Sequence, residues 1–239
     1  MKALARVLAR PAVVALLFAP IALMLWGLQL GLFGLQGSAR VQAFEIAQLV
    51  MLVSGGVFYW VACRADAAPP HGARNAGAAL ALIAAAVAIS AQFAAADAHL
   101  NAAIGPVAAL ASLANLVLVA GFAEELWFRG LWTRAARTSL VLAVGWGALA
   151  FGLLHWPMGP GRVATTAALG LLYGAARWRG APIWALALAH GAVNWIGSTV
   201  APAATWRFGA LPSQALFCLI VLAAVWIVLR RGLPMEDTR

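Results

Sequence analysis

Apolar residues in this chain fall into eight runs, at 12–36, 41–62, 76–96, 105–132, 139–156, 163–177, 182–200 and 213–229. A helix needs ~20 mostly apolar residues to cross about 30 Å of hydrocarbon. Each run therefore predicts a membrane-spanning helix; the sixth is short enough to be tilted or only partly spanning. Proline punctuates the pattern. Pro11, Pro69, Pro70, Pro106, Pro157, Pro160, Pro182, Pro202, Pro212 and Pro234 fall at or between run ends, where helices start and stop. Pro20 alone is interior and predicts a kink. The opening MKALARVLARPAVVALLFAP has the basic-then-apolar order of an export signal. Its apolar run continues to about Gln36 with no small-x-small cleavage site at the usual distance, which predicts an uncleaved first span.

The charges between the runs predict orientation. With the N-terminus inside, the inner segments carry Lys2, Arg6, Arg10, Arg64, Arg74, Arg134, Arg137, Arg177, Arg179, Arg230, Arg231 and Arg239. The outer loops carry Arg40, Arg162 and Arg207. Positive charge concentrates on the cytoplasmic side of membrane proteins, so both termini are expected inside. Trp60, Trp132, Trp156, Trp178, Trp184 and Trp206 lie near run ends, as interfacial anchors do.

Composition agrees. The chain of 239 residues is 64% hydrophobic and 10% charged, with a mean hydropathy of +0.91. Soluble domains are about 45–50% apolar and about 25% charged. A soluble monomer, a disordered chain, a coiled coil and a disulfide scaffold are excluded. Cys63 and Cys218 are too far apart for a zinc knuckle or a redox pair. The net charge of +9 is spread between apolar runs, which encodes topology and predicts no nucleic-acid partner. Arginine supplies all but one of the 16 basic residues; with the abundance of alanine, this looks like GC-rich bacterial coding.

Seven acids remain to be placed. Asp66, Asp97, Glu236 and Asp237 lie in loops or the tail, and Glu45 near one end of the second run. Glu124 and Glu125 sit side by side inside the fourth, in LVLVAGFAEELWFRGLW. A charge at mid-bilayer costs roughly 2.5–3.5 kcal/mol on insertion scales, so such residues face the protein interior and carry function. Glu125 and Arg129 are four apart with the acid N-terminal, the favourable order for an ion pair on one helical face. Glu124 is rotated from Glu125 by about 100° and is left free for chemistry. His155 ends the fifth run. His190 lies inside the seventh, with Asn194 one turn later. His71 and His99 fall in loops and are assigned nothing. At about 1.5 Å per residue, Glu124, Arg129, His155, His190 and Asn194 all lie about 12–26 Å from the cytoplasmic ends of their spans, which permits one cluster. Singly, each has a plainer reading as packing or a helix–helix hydrogen bond. Gly27/Gly31 and Gly170/Gly174 have GxxxG spacing and are read as close helix packing only.

The ordered set E-E-x-x-x-R (Glu124, Glu125, Arg129), F-x-x-x-H (Phe151, His155) and H-x-x-x-N (His190, Asn194) resembles the three motifs of the CPBP family, the CAAX-protease and bacteriocin-processing membrane proteins, also called Abi. EELWFRG, including Gly130, matches the family's first-motif flank. The resemblance covers about 105–200. It implies an intramembrane glutamic endopeptidase, in which Glu124 activates water assisted by His155 while His190 and Asn194 stabilise the oxyanion. Water would attack in a single step, without a covalent intermediate. Glu125–Arg129 would be a structural ion pair.

Rival readings use the same residues. Glu, two His and Asn can ligate zinc, but no HExxH occurs. A serine protease lacks its GxSxG, and Ser54 and Ser198 have no evident partner. A transporter can relay protons through buried acids, but the two halves show no repeated pair of broken helices. A non-catalytic scaffold is free to lose motif residues that are all present here. The expectation is an all-α, polytopic transmembrane bundle of about eight spans. It forms a single membrane domain, 1–239, with a catalytic core at 105–200. It uses no cofactor or metal, and acts on a membrane-associated protein or peptide in the lipid bilayer. Its expected location is the bacterial inner membrane.

Overall fold

A computed structural model describes residues 2–65, 105–195 and 210–230. The described residues are helical almost throughout: α1 (Lys2–Leu8), α2 (Pro11–Gln29), α3 (Gly37–Ala65), α4 (a continuous rod from Pro106 to Ala135), α5 (Val141–Leu154), α6 (Pro160–Trp178), α7 (Ile183–Trp195) and α8 (Ala210–Arg230). The run predicted at 76–96 lies outside the described residues. Among the described residues three helices are long and apolar enough to cross a membrane: Pro11–Gln29, Gly37–Arg64 and Val107–Ala135. Val141–Leu154 and Gln214–Arg230 are shorter apolar helices. Pro160–Trp178 is as long as α2 but carries Arg162, Thr165, Thr166 and Arg177, and is not among the three.

Proline at the first helical turn opens α2, α4 and α6, where its missing N–H costs nothing. α2 runs on through Pro20. Outward faces are apolar: Val107, Leu16 and Val141 are among the most exposed side chains. In hydrocarbon these faces need no polar cover, whereas every backbone group must be bonded within the chain, which helices achieve.

Two apolar cores form. One joins α2, α3, α4 and α5 through Leu25, Met51, Trp127, Leu131 and Phe151. The other joins α5, α6, α7 and α8 through Val144, Leu172, Tyr173, Leu186 and Val221. The Trp127 indole donates to the Met51 carbonyl at 2.9 Å and ties α4 to α3. α7 crosses α4 at very short range. A Cβ on Gly191 would lie 2.5 Å from Val117 Cα, and one on Gly121 2.6 Å from the Ala187 oxygen. Only glycine permits that crossing. Gly170 and Gly174 meet Ala148 and Val144 as α6 packs on α5. Gly27/Gly31 is different, and the helix-packing reading of this pair is corrected. α2 ends before Gly31, whose φ of +72° places it in the turn, so the two glycines do not share a helical face.

Candidate active site

α4 carries the two acids on a short α-helical piece, Phe122–Glu125, with π-helical backbone on either side at Leu116–Gly121 and Leu126–Trp132. The π form is rare and appears mostly as local insertions at functional sites. The Thr133 hydroxyl donates to the Phe128 carbonyl at 3.1 Å, beside the second stretch. The ideal α spacing assumed from sequence is therefore replaced by a locally wider winding.

On this rod Glu125 and Arg129 are both buried, with Arg129 Nη1 3.2 Å from Glu125 Oε1. Arg129 Nη2 donates to the Gly170 carbonyl of α6 at 3.3 Å. The guanidinium carbon lies 4.4 Å from the Phe151 ring centroid and 5.6 Å from that of Tyr173. Phe151 belongs to one core and Tyr173 to the other, so Arg129 occupies the seam between them. A buried charge is tolerated only when paired and hydrogen-bonded, and Arg129 meets both conditions.

His190 of α7 joins the acids. Its Nδ1 donates to Glu125 Oε1 at 3.0 Å, and its Nε2 lies 3.4 Å from Glu124 Oε2. Glu124 Oε2 is buried and makes no hydrogen bond among the described residues. The four groups thus form a continuous chain, Glu124–His190–Glu125–Arg129, across two helices. The two ring nitrogens of His190 thus face one carboxylate each.

His155 follows the last residue of α5, where Pro157 opens a 3-10 turn at Trp156–Met158. Its Nδ1 donates to the Phe151 carbonyl at 3.0 Å, and among the described residues its Nε2 makes no hydrogen bond. The Phe151 ring stands between the two histidines, with centroids 5.1 Å from His155 and 5.6 Å from His190. His155 also lies within electrostatic reach of Glu124 and His190. Asn194 is half-buried one turn beyond His190 on α7. Arg129, His155 and His190 are therefore gathered around Phe151, and His190 links that group to Glu124 and Glu125. Among the described residues no group of three or more His, Cys, Asp or Glu is placed to hold a metal ion.

Several residues of this site were not singled out from sequence. Tyr173 is fully buried, its ring 5.8 Å from that of His190. Arg177, counted above only as a topology charge, donates to the Arg129 carbonyl, the Ala181 carbonyl and the Tyr59 hydroxyl. Both tyrosines of the chain thus contact the site or its supports; their rarity among apolar spans was the available signal. Trp26 of α2 donates its indole N–H to the Leu154 carbonyl at 2.9 Å, holding the turn that presents His155. No local pattern marks that contact, because it joins residues far apart in the chain.

The family described as Rce1-like, type II CAAX prenyl endopeptidase Rce1-like, matches residues 106–196. The matched stretch holds α4 through α7 and with them every motif residue. No curated protein and no solved structure matches the chain.

Proposed function

We propose that this chain, a member of the Rce1-like family through residues 106–196, is an intramembrane endopeptidase that hydrolyses a peptide bond near the C-terminus of a membrane-associated protein or peptide. The family consists of CAAX prenyl endopeptidases, which are hydrolases. The observation that carries the reading is the buried relay, in which the unbonded Oε2 of Glu124 faces His190.

The chemistry follows from the charges. Glu124 takes a proton from water as the water oxygen bonds to the scissile carbonyl carbon, and the negative charge passes from Glu124 to the carbonyl oxygen. His190, held by Glu125 on its far side, no longer faces an anion at Nε2 and turns its N–H to the new oxyanion, with the Asn194 amide as a second donor. Such preorganised donors supply a large share of catalysis in a water-poor site. The tetrahedral intermediate then expels the amine, which takes the proton from Glu124. His155, with Nε2 free, orients the attacking water. No covalent enzyme intermediate forms. Glu125 and Arg129 hold His190 in place. The setting for this reaction is the bacterial inner membrane, with both termini cytoplasmic.

The test is hydrolysis of a prenylated CAAX peptide by purified protein in detergent. Wild type is expected to cleave it, and Glu124→Gln to fall by about 10²- to 10⁴-fold, the usual contribution of a general base. Cleavage is expected to survive a metal chelator. Normal turnover by Glu124→Gln would sink the assignment, and chelator-sensitive activity restored by zinc would replace it with a metal mechanism.

A further inference from the structure

Arg162 lies in the first turn of α6, seven residues after His155. Eleven residues, three turns at about 3.6 per turn, separate it from Tyr173. Both therefore lie on the stripe of α6 that faces the site, since Tyr173 packs on His190. Between them, Thr166 is buried and its hydroxyl donates to the Arg162 carbonyl at 2.7 Å, and Gly170 accepts from Arg129. The Arg162 side chain itself is exposed. Its charge and that of Glu124 attract each other, and it also lies within electrostatic reach of His155. Among the described residues its guanidinium makes no hydrogen bond or ion pair.

Partners separate Arg162 from the other cations of the site. Arg129 is paired with Glu125 and bonded to the Gly170 carbonyl, and Arg177 donates to the Arg129 carbonyl, the Ala181 carbonyl and the Tyr59 hydroxyl. Arg162 is a further cation, placed at the exposed end of the same stripe. A planar guanidinium with free donors matches a carboxylate in charge and geometry.

We propose that Arg162 is a specificity residue that binds a carboxylate of the substrate chain beside the scissile bond. This rests on the protease reading above. The carboxylate has two possible sources, the free C-terminus or an acidic side chain. Either would be drawn to the same guanidinium, and in either case the contact sets how far from the bound anion the peptide is cut.

The test measures binding of prenylated CAAX peptides to full-length Glu124→Gln protein in phosphatidylcholine vesicles. One pair of peptides differs only in a C-terminal acid or carboxamide. A second pair, both carboxamides, differs only in Glu or Gln at the penultimate position. In at least one pair the anionic member is expected to bind about 10- to 100-fold more tightly, as a charge-assisted contact would give. The pair that discriminates identifies the source. Adding Arg162→Gln should bring that ratio close to one, and Arg162→Lys should restore part of it. The proposal is overturned if neither pair discriminates, if no peptide binds, or if the ratio is the same with Arg162→Gln. The last result would make Arg162 an interfacial anchor reaching for lipid headgroups. Failure of the protease reading looks different: wild-type protein would leave the peptide uncut, whatever the binding ratio.

Discussion

Arg129 shows how a single residue supports this site. Its side chain is almost fully buried, yet it bonds Glu125 and the Gly170 carbonyl and lies against Phe151 and Tyr173. Removing one partner of a buried pair leaves the other charge uncompensated, at a cost of about 3–5 kcal/mol. Arg129→Leu is expected to lower stability by that order, read as the shift in thermal unfolding of the detergent-solubilised protein. Glu125→Gln/Arg129→Leu together should recover part of the loss, because no buried charge is then stranded. Unchanged unfolding in Arg129→Leu would show that the pair adds nothing. The pairing of Glu125 with Arg129 was legible in the sequence from their spacing. The bond from His190 to Glu125 was not, because it joins residues of different helices.

At the scale of elements, the crossing of α7 over α4 brings His190 to the acids. Gly121 and Gly191 let the two backbones meet. Gly191→Ala would force a methyl to within 2.5 Å of Val117 Cα. Overpacking of this kind costs about 1–3 kcal/mol. The substitution is expected to lower both unfolding temperature and activity, since it moves α7 and His190 away from Glu124. A variant with full activity and wild-type unfolding would mean that the crossing is looser than described. The GxxxG spacing drew notice to Gly170/Gly174 and to Gly27/Gly31, and only the first pair packs helix on helix. The glycines that set the critical crossing have no such spacing. The π-helical stretches of α4 were equally hidden, because LVLVAG and LWFRGLW contain nothing that forbids an ordinary α-helix.

For the whole molecule, three long apolar helices and outward-facing apolar side chains describe a multi-pass membrane protein. The distribution of arginine predicts both termini in the cytoplasm. Reporter fusions that fluoresce only in the cytoplasm should be bright at either end, and fusions of a periplasm-dependent phosphatase should be inactive there. The opposite pattern at one end would require an odd number of spans and a different path through 66–104 or 196–209.

The chain by itself determined its all-helical character, its affinity for the bilayer and the identity of the motif residues. These properties are written in composition, in run length and in positions one turn apart, all of which are local. It also marked the span from about 105 to 200 that the family match covers almost completely. Only the tertiary structure decided which groups meet. It put His190 on both acids, Phe151 between two histidines, Tyr173 beneath His190, Trp26 on the turn before His155 and Arg162 on the stripe above the site. Those contacts depend on how closely helices approach and how they rotate against each other. That is set by glycine crossings and by packing of the two cores, which no single segment contains.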